Sequence, residues 1–200
     1  MEFATALLVA FVAIFPVELP DKTFVATLVL STRYPPLPTW LGVVAAFGVQ
    51  CVIAVLAGAL LTKLPHRPVQ FVAAALFLIG AVVLARGARN ADAEEREQEA
   101  EFGAKVVEPK RGWRAAVASF LVLFTAEWGD LSQFLIAGLV ARGNPALPTF
   151  LGGWAGLAAV SGLAVLLGRW LLKRVKLAVI RYVGAAVCGV LAVVTLVSAL

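Results

Sequence analysis

Imidazole and thiol are nearly missing from this chain of 200 residues, which holds one histidine and two cysteines. His66 stands in a short gap between Pro65 and Arg67 and reads as solvated. Cys51 and Cys188 each lie alone within apolar runs, without Cys-x-x-Cys spacing. They read as small buried hydrophobes, which excludes a disulfide framework and a thiolate metal site. Charge is scarce as well, at 14% of residues against about 25% in soluble domains. With 62% apolar residues and a mean hydropathy of +0.94, a soluble domain is excluded. Alternating ten-residue strands with one polar face are also lacking, which leaves helices as the spanning form. The net charge of +5 does not point to nucleic acid, because the lysines and arginines sit in short gaps between apolar runs, where they report orientation. The N-terminal run lacks a basic leading region and a clear cleavage site, so it is expected to stay in the mature chain.

What is present is a set of long apolar segments. Six reach the roughly 20 residues a spanning helix needs, at about 3–31, 40–61, 69–86, 113–141, 147–169 and 177–199. Their connections alternate between two sides that differ sharply in basic residues. One side holds Arg33, then Arg86, Arg89, Arg96, Lys105, Lys110, Arg111 and Arg114, then Arg169, Lys173, Arg174, Lys176 and Arg181; the other has Lys63, Arg67 and Arg142. The positive-inside rule then puts both termini outside and the 87–112 loop in the cytoplasm. That loop also carries Asp92, Glu94, Glu95, Glu97, Glu99, Glu101 and Glu108, and reads as a solvated, partly helical or disordered linker. Trp40, Trp113 and Trp170 fall near span ends and are expected in interfacial belts.

Two of the apolar runs are interrupted by ionisable groups, in Phe15-Pro16-Val17-Glu18-Leu19-Pro20-Asp21-Lys22-Thr23 and again in Thr125-Ala126-Glu127-Trp128-Gly129-Asp130-Leu131-Ser132-Gln133. Glu18 aligns with Glu127, Asp21 with Asp130 and Thr23 with Ser132. The match extends to Leu37-Pro38-Thr39-Trp40-Leu41-Gly42 with Leu147-Pro148-Thr149-Phe150-Leu151-Gly152. It also covers Val72-Ala73-Ala74-Ala75 with Val183-Gly184-Ala185-Ala186, and Gln50 with Ser161, the offset drifting only from 109 to 111. Each half has three spans, and an odd number inserts the halves with opposite topology. The expected fold is therefore an all-α polytopic membrane protein of six transmembrane helices in two inverted three-helix repeats. Residues 1–86 and 113–200 form the repeats, with 87–112 as the charged linker. Helices 1 and 4 are expected to break at the acidic stretches, through Pro16 and Pro20 in one and Gly129 in the other.

Ionisable groups at bilayer depth are costly, by about 3 kcal/mol on insertion scales, and are functional candidates for that reason. Glutamate and aspartate three positions apart share one helical face, so Glu18 points with Asp21 and Glu127 with Asp130. Four carboxylates at one depth cannot all stay ionised unless a cation joins them or some are protonated. Thr23, Ser132, Gln133, Thr125 and Gln50 add neutral oxygens, and the prolines free backbone acceptors. An all-oxygen set suits hard divalent ions such as calcium, magnesium and manganese. Because such an ion competes with protons for the same oxygens, cation/proton antiport is the natural mechanism. Lys22 either snorkels outward, neutralises Asp21 or takes part in gating. Trp128 either shapes the site or packs against lipid and helix. Gly152, Gly153 and Gly156 read as close-packing positions.

These residues resemble the small six-helix cation/proton exchanger family that includes eukaryotic Golgi manganese and calcium transporters and bacterial manganese exporters. Its mark is Glu-x-Gly-Asp-(Lys/Arg)-(Thr/Ser), once in each half. Here the copies are Glu18-Leu19-Pro20-Asp21-Lys22-Thr23 and Glu127-Trp128-Gly129-Asp130-Leu131-Ser132, followed by Gln133. The resemblance implies export of manganese, or calcium, against protons, with Glu18, Asp21, Glu127 and Asp130 as ligands and Thr23, Ser132 and Gln133 as helpers. It implies no resident cofactor and no enzyme activity. Pro20 departs from the family glycine and Leu131 from its basic residue. With Lys22 alone opposing four carboxylates, a bound divalent ion leaves a negative remainder, so a shared proton or a second cation is expected. The competing expectations are an exporter of amino acids or organic cations on a similar scaffold, an intramembrane hydrolase using Asp21 and Asp130, and a passive channel. Short loops suggest the inner membrane of a bacterium.

Overall fold

The computed structural model describes residues 2–19, 22–105, 109–174 and 177–199. The expectations for Pro20 and Asp21, and for the side chains of His66 and Trp170, lie outside the described residues. Among the described residues the chain forms nine helices and no strand: α1 (Phe3–Glu18), α2 (Lys22–Arg33), α3 (Pro36–Leu61), α4 (His66–Gly87), α5 (Ala91–Lys105), α6 (Trp113–Ala126), α7 (Leu131–Ala141), α8 (Ala146–Arg174) and α9 (Leu177–Ala199). Four of them, α3, α4, α8 and α9, are long and apolar enough to cross a bilayer alone. The pairs α1 with α2 and α6 with α7 reach that standard only jointly, and their members are bent by 69° and 72°. The protein is thus all-helical and polytopic, with four to six spans according to how the bent pairs are counted.

Local chemistry explains the repeated starts of α3 and α8. Proline is tolerated in a first helical turn, where its missing N–H costs no internal bond. The threonine that follows returns its hydroxyl to the carbonyl four residues back: Thr39 Oγ1 donates to Pro35 O at 2.9 Å and Thr149 Oγ1 to Pro145 O at 2.8 Å.

Packing is dominated by helices from opposite halves. The most extensive contacts are α4 on α9, α1 on α8, and α3 on α6, α7 and α8. Two close approaches recur at equivalent positions. A Cβ on Gly42 would lie 2.0 Å from Ala116 O, and one on Gly152 would lie 2.1 Å from Leu7 O. Only glycine lets the backbones come so near. Gly153 and Gly156 likewise face Ile136 and Ile14, as expected for close-packing positions.

Two expectations are refined here. Trp40, half-buried near the start of α3, is tied into the bundle, because its indole N–H donates to Ala158 O at 3.0 Å across α3 and α8. Trp154 Nε1 returns the same kind of bond to Val44 O at 2.9 Å. Indole N–H groups seek a partner when buried, and the α3/α8 crossing offers one to each. Trp113, by contrast, is 73% exposed at the start of α6. The second concerns the linker, which is more than a solvated connector. It forms α5, which packs on α2 and α9 and buries Ala91 and Phe102 to 2% exposure.

Candidate functional site

The break between α6 and α7 is built by its own sequence. Glu127 caps the end of α6, Gly129 follows with φ +74°, and Asp130 in extended backbone is the N-cap of α7. Asp130 Oδ2 accepts from Ser132 N at 3.4 Å and from Ser132 Oγ at 3.1 Å. Gln133, three residues after the cap, closes the turn from both ends of its amide. Its Nε2 donates to Glu127 O, and its Oε1 accepts from Gly129 N at 3.3 Å. This is a relative of the capping box, with aspartate and glutamine in the two roles.

A third element ties this break to the rest of the molecule. Gln50, 4% exposed on α3, directs Nε2 at Phe124 O and Glu127 O, at 3.4 and 3.5 Å. Glu18 and Glu127 are 0% and 3% exposed, and a buried carboxylate is tolerated only when protonated, paired or bound to a cation. Thr23 and Ser132 are buried beside their motifs.

The structure thus brings Gln50, Glu127, Asp130, Ser132 and Gln133 together, and buries Glu18 at the end of α1. Among the described residues no three His, Cys, Asp or Glu side chains form a metal-holding group. Asp21, the fourth expected ligand, lies outside those residues. Thr125 is corrected as an oxygen donor to the site: it is exposed, and its hydroxyl donates to Leu121 O at 2.8 Å. Trp128 is 57% exposed and packs edge-on against Phe124. Lys22 is exposed and lines a cleft of about 580 Å³ that also reaches Asp130, Leu131, Glu94, Gln98 and Arg181. Sequence reasoning missed the α4, α5 and α9 side of that cleft. The available signal was the Ala91, Glu94, Gln98, Phe102 spacing, which puts one stripe of α5 inward.

Gly129 offers a direct check on the break. Among the described residues nothing lies within 4 Å of where its Cβ would be, so the expected cost of substitution is backbone strain. Gly129→Ala is expected to destabilise the protein by about 1–2 kcal/mol, the usual penalty for a left-handed residue with a Cβ. Gly129→Asn should be milder. Thermal unfolding in detergent checks the order; equal melting temperatures for glycine and alanine would remove the positive φ from the account.

Comparison with known proteins places these features in a wider setting. A family model described as "Divalent cation/proton antiporter GDT1" matches residues 6–92 and 115–200, one stretch in each half. The chain is 33% identical over 186 residues to a GDT1-like protein of Synechocystis sp., covering 89% of this chain and 90% of that one. It is 31% identical to Protein PAM71, chloroplastic, of Arabidopsis thaliana, over 93% of this chain and 55% of that protein. It is 30% identical to GDT1-like protein 1, chloroplastic, of Oryza sativa subsp. indica, over 98% and 63%. The chain accordingly spans less than two thirds of the two plant proteins. No solved structure matches it.

Proposed function

The chain belongs to the GDT1 family of divalent cation/proton antiporters, which are transporters and not enzymes, and from that premise we propose that it exports manganese, with calcium as the alternative substrate, from the cytoplasm in exchange for protons. Residues 1–86 and 113–200 are two inverted repeats of three spans each, joined by the 87–112 linker. In this reading α1 with α2, and α6 with α7, each make one broken span. The recurrence of the Gly42 and Gly152 approaches supports the repeat. The excess of lysine and arginine on the linker side supports external termini and a cytoplasmic linker, and the short loops support a bacterial inner membrane location.

The observation that carries the reading is that Glu18 and Glu127, the matching carboxylates of the two halves, are both buried at the ends of apolar helices, with Gln50 of α3 holding the backbone at the second. Glu18, Asp21, Glu127 and Asp130 supply the charge that a divalent ion needs, with Thr23, Ser132 and Gln133 supporting them. Gln133 and Gln50 act here through their N–H groups, holding the α6 carbonyl end so that the Glu127 side chain keeps its position. Lys22 stands at the rim of the cleft and offsets part of the negative charge. Because the carboxylates must be deprotonated to hold the ion, loading expels protons and protonation releases the cargo. Exposure of those two states to opposite faces gives exchange.

The test is uptake of manganese and of calcium into inside-out vesicles carrying the protein. The expected result is accumulation of manganese when the lumen is more acidic than the bath, and none without the gradient. Uptake independent of the gradient would indicate a channel. Stabilisation of the purified protein by amines, with neither metal transported, would favour the organic-cation exporter.

A further inference from the structure

We infer that α5 is a lid over the cleft that leads to both acidic stretches, latched by the ion pair between Glu94 and Arg181. The inference rests on the transport reading above, which makes that cleft the cytoplasmic mouth of the route. The cleft walls come from every part of the molecule concerned: Lys22 begins α2, Asp130 and Leu131 begin α7, Glu94 and Gln98 belong to α5, and Arg181 belongs to α9. A segment that closes or opens this space controls the approach to both breaks.

The seat of α5 has the character of a latch. Ala91, Glu94, Gln98 and Phe102 fall on one helical face, and the helix rests on α2 from the first half and α9 from the second. Any change in how the halves sit therefore moves its support. Phe102 is the apolar anchor, seated in the main core. Arg181 is the polar one: Nη1 donates to Glu94 Oε2 at 2.6 Å and to Gly87 O at 2.6 Å, with the arginine side chain 7% and the glutamate side chain 43% exposed. A Cβ at position 87 would lie 2.8 Å from Arg181 Nη1, so the glycine leaves the room the guanidinium occupies. Gln98 Oε1, by contrast, is buried without a hydrogen-bond partner among the described residues. An acceptor left unmet on the seated face penalises that position relative to one in which water reaches it. Among the described residues, the Glu94–Arg181 pair and the Phe102 ring thus favour the closed lid, and the Gln98 acceptor opposes it.

The experiment uses the full chain with Cys51→Ser and Cys188→Ala, and adds Glu94→Cys with Arg181→Cys. Oxidation should lower gradient-driven manganese uptake at least tenfold, with full return on reduction, while each single cysteine variant is indifferent to oxidant. Undiminished uptake with the cross-link formed, as read by mass, would overturn the lid. A second measurement does not depend on transport. Leu84→Cys, which lines the cleft, should react with a membrane-impermeant maleimide at least fivefold faster when Glu94→Gln is added. Equal labelling rates would overturn the latch. Latch-dependent labelling in a protein that moves neither manganese nor calcium would sink the antiporter reading and leave the lid standing.

Discussion

Glu18→Gln and Glu127→Gln each lower gradient-driven cation uptake by at least about 100-fold. The glutamates are 0% and 3% exposed at the ends of α1 and α6, where an amide keeps the shape and removes the charge. Deleting one member of a buried charge pair costs about 3–5 kcal/mol, and each 1.4 kcal/mol is about tenfold. The loss is not one of folding, because glutamine is nearly isosteric with glutamate. Thr125→Val should stay close to the parent, since Thr125 is exposed and its hydroxyl is engaged by the Leu121 carbonyl of its own helix. Initial uptake rates, with metal affinity of the purified protein as a second readout, check both. Each ligand must lose its proton to bind the ion, so affinity in the parent falls as pH falls. A flat affinity from about pH 5 to 8 would remove proton competition from the mechanism, and parental rates in either variant would remove that glutamate from the route.

Gly42→Ala and Gly152→Ala are expected to be the most damaging substitutions away from the charged groups. The added methyl would stand 2.0 Å from Ala116 O in one and 2.1 Å from Leu7 O in the other, and a backbone carbonyl cannot swing aside as a side chain does. The helices must part by more than an ångström, which loosens every contact along α3 with α6, or α8 with α1. Overpacking of this kind costs about 3 kcal/mol or more, or roughly 6–12 °C of melting temperature for a chain of this size. Gly189→Ala, where nothing lies within 4 Å, is the matched control and should melt with the parent. Thermal unfolding and loss of monodispersity in detergent measure the effect. Parental melting of both variants would mean that the crossings tolerate more space than the glycines imply.

Much of this was legible in the chain itself, and the remainder failed for physical reasons. Helical membrane character follows from composition, since lipid leaves helices as the economical way to satisfy backbone groups in long apolar runs. The interruptions at Glu18 and Glu127 stand out for the same reason. The capping role of Asp130 was present as an Asp-x-x-Gln pattern with Gln133, yet an aspartate directly after a glycine inside an apolar run also reads as a ligand, and only the backbone angles reveal the cap. Thr125 misleads because a hydroxyl in a helix can turn to the carbonyl four residues back. Trp40 was read from its position near a span end, while its hydrogen bond depends on the register of α3 against α8, which no local pattern contains. The seat of α5 was obscured by its charge: the glutamates that suggest solvation share the helix with a stripe only four residues long.

The contacts between halves bear on how the protein is made. A ribosome that has completed α1 to α4 has placed in the bilayer helices whose principal neighbours do not yet exist, since α1 rests on α8, α4 on α9, and α3 on α6, α7 and α8. Insertion and folding are therefore separated in time. The early helices wait with their contact faces, glycine-lined in α3, against lipid, and the tertiary structure closes only when the last helix arrives. Chains that stop within the second half would leave those faces open to quality control, and the two halves would have to meet in the same membrane for either to persist.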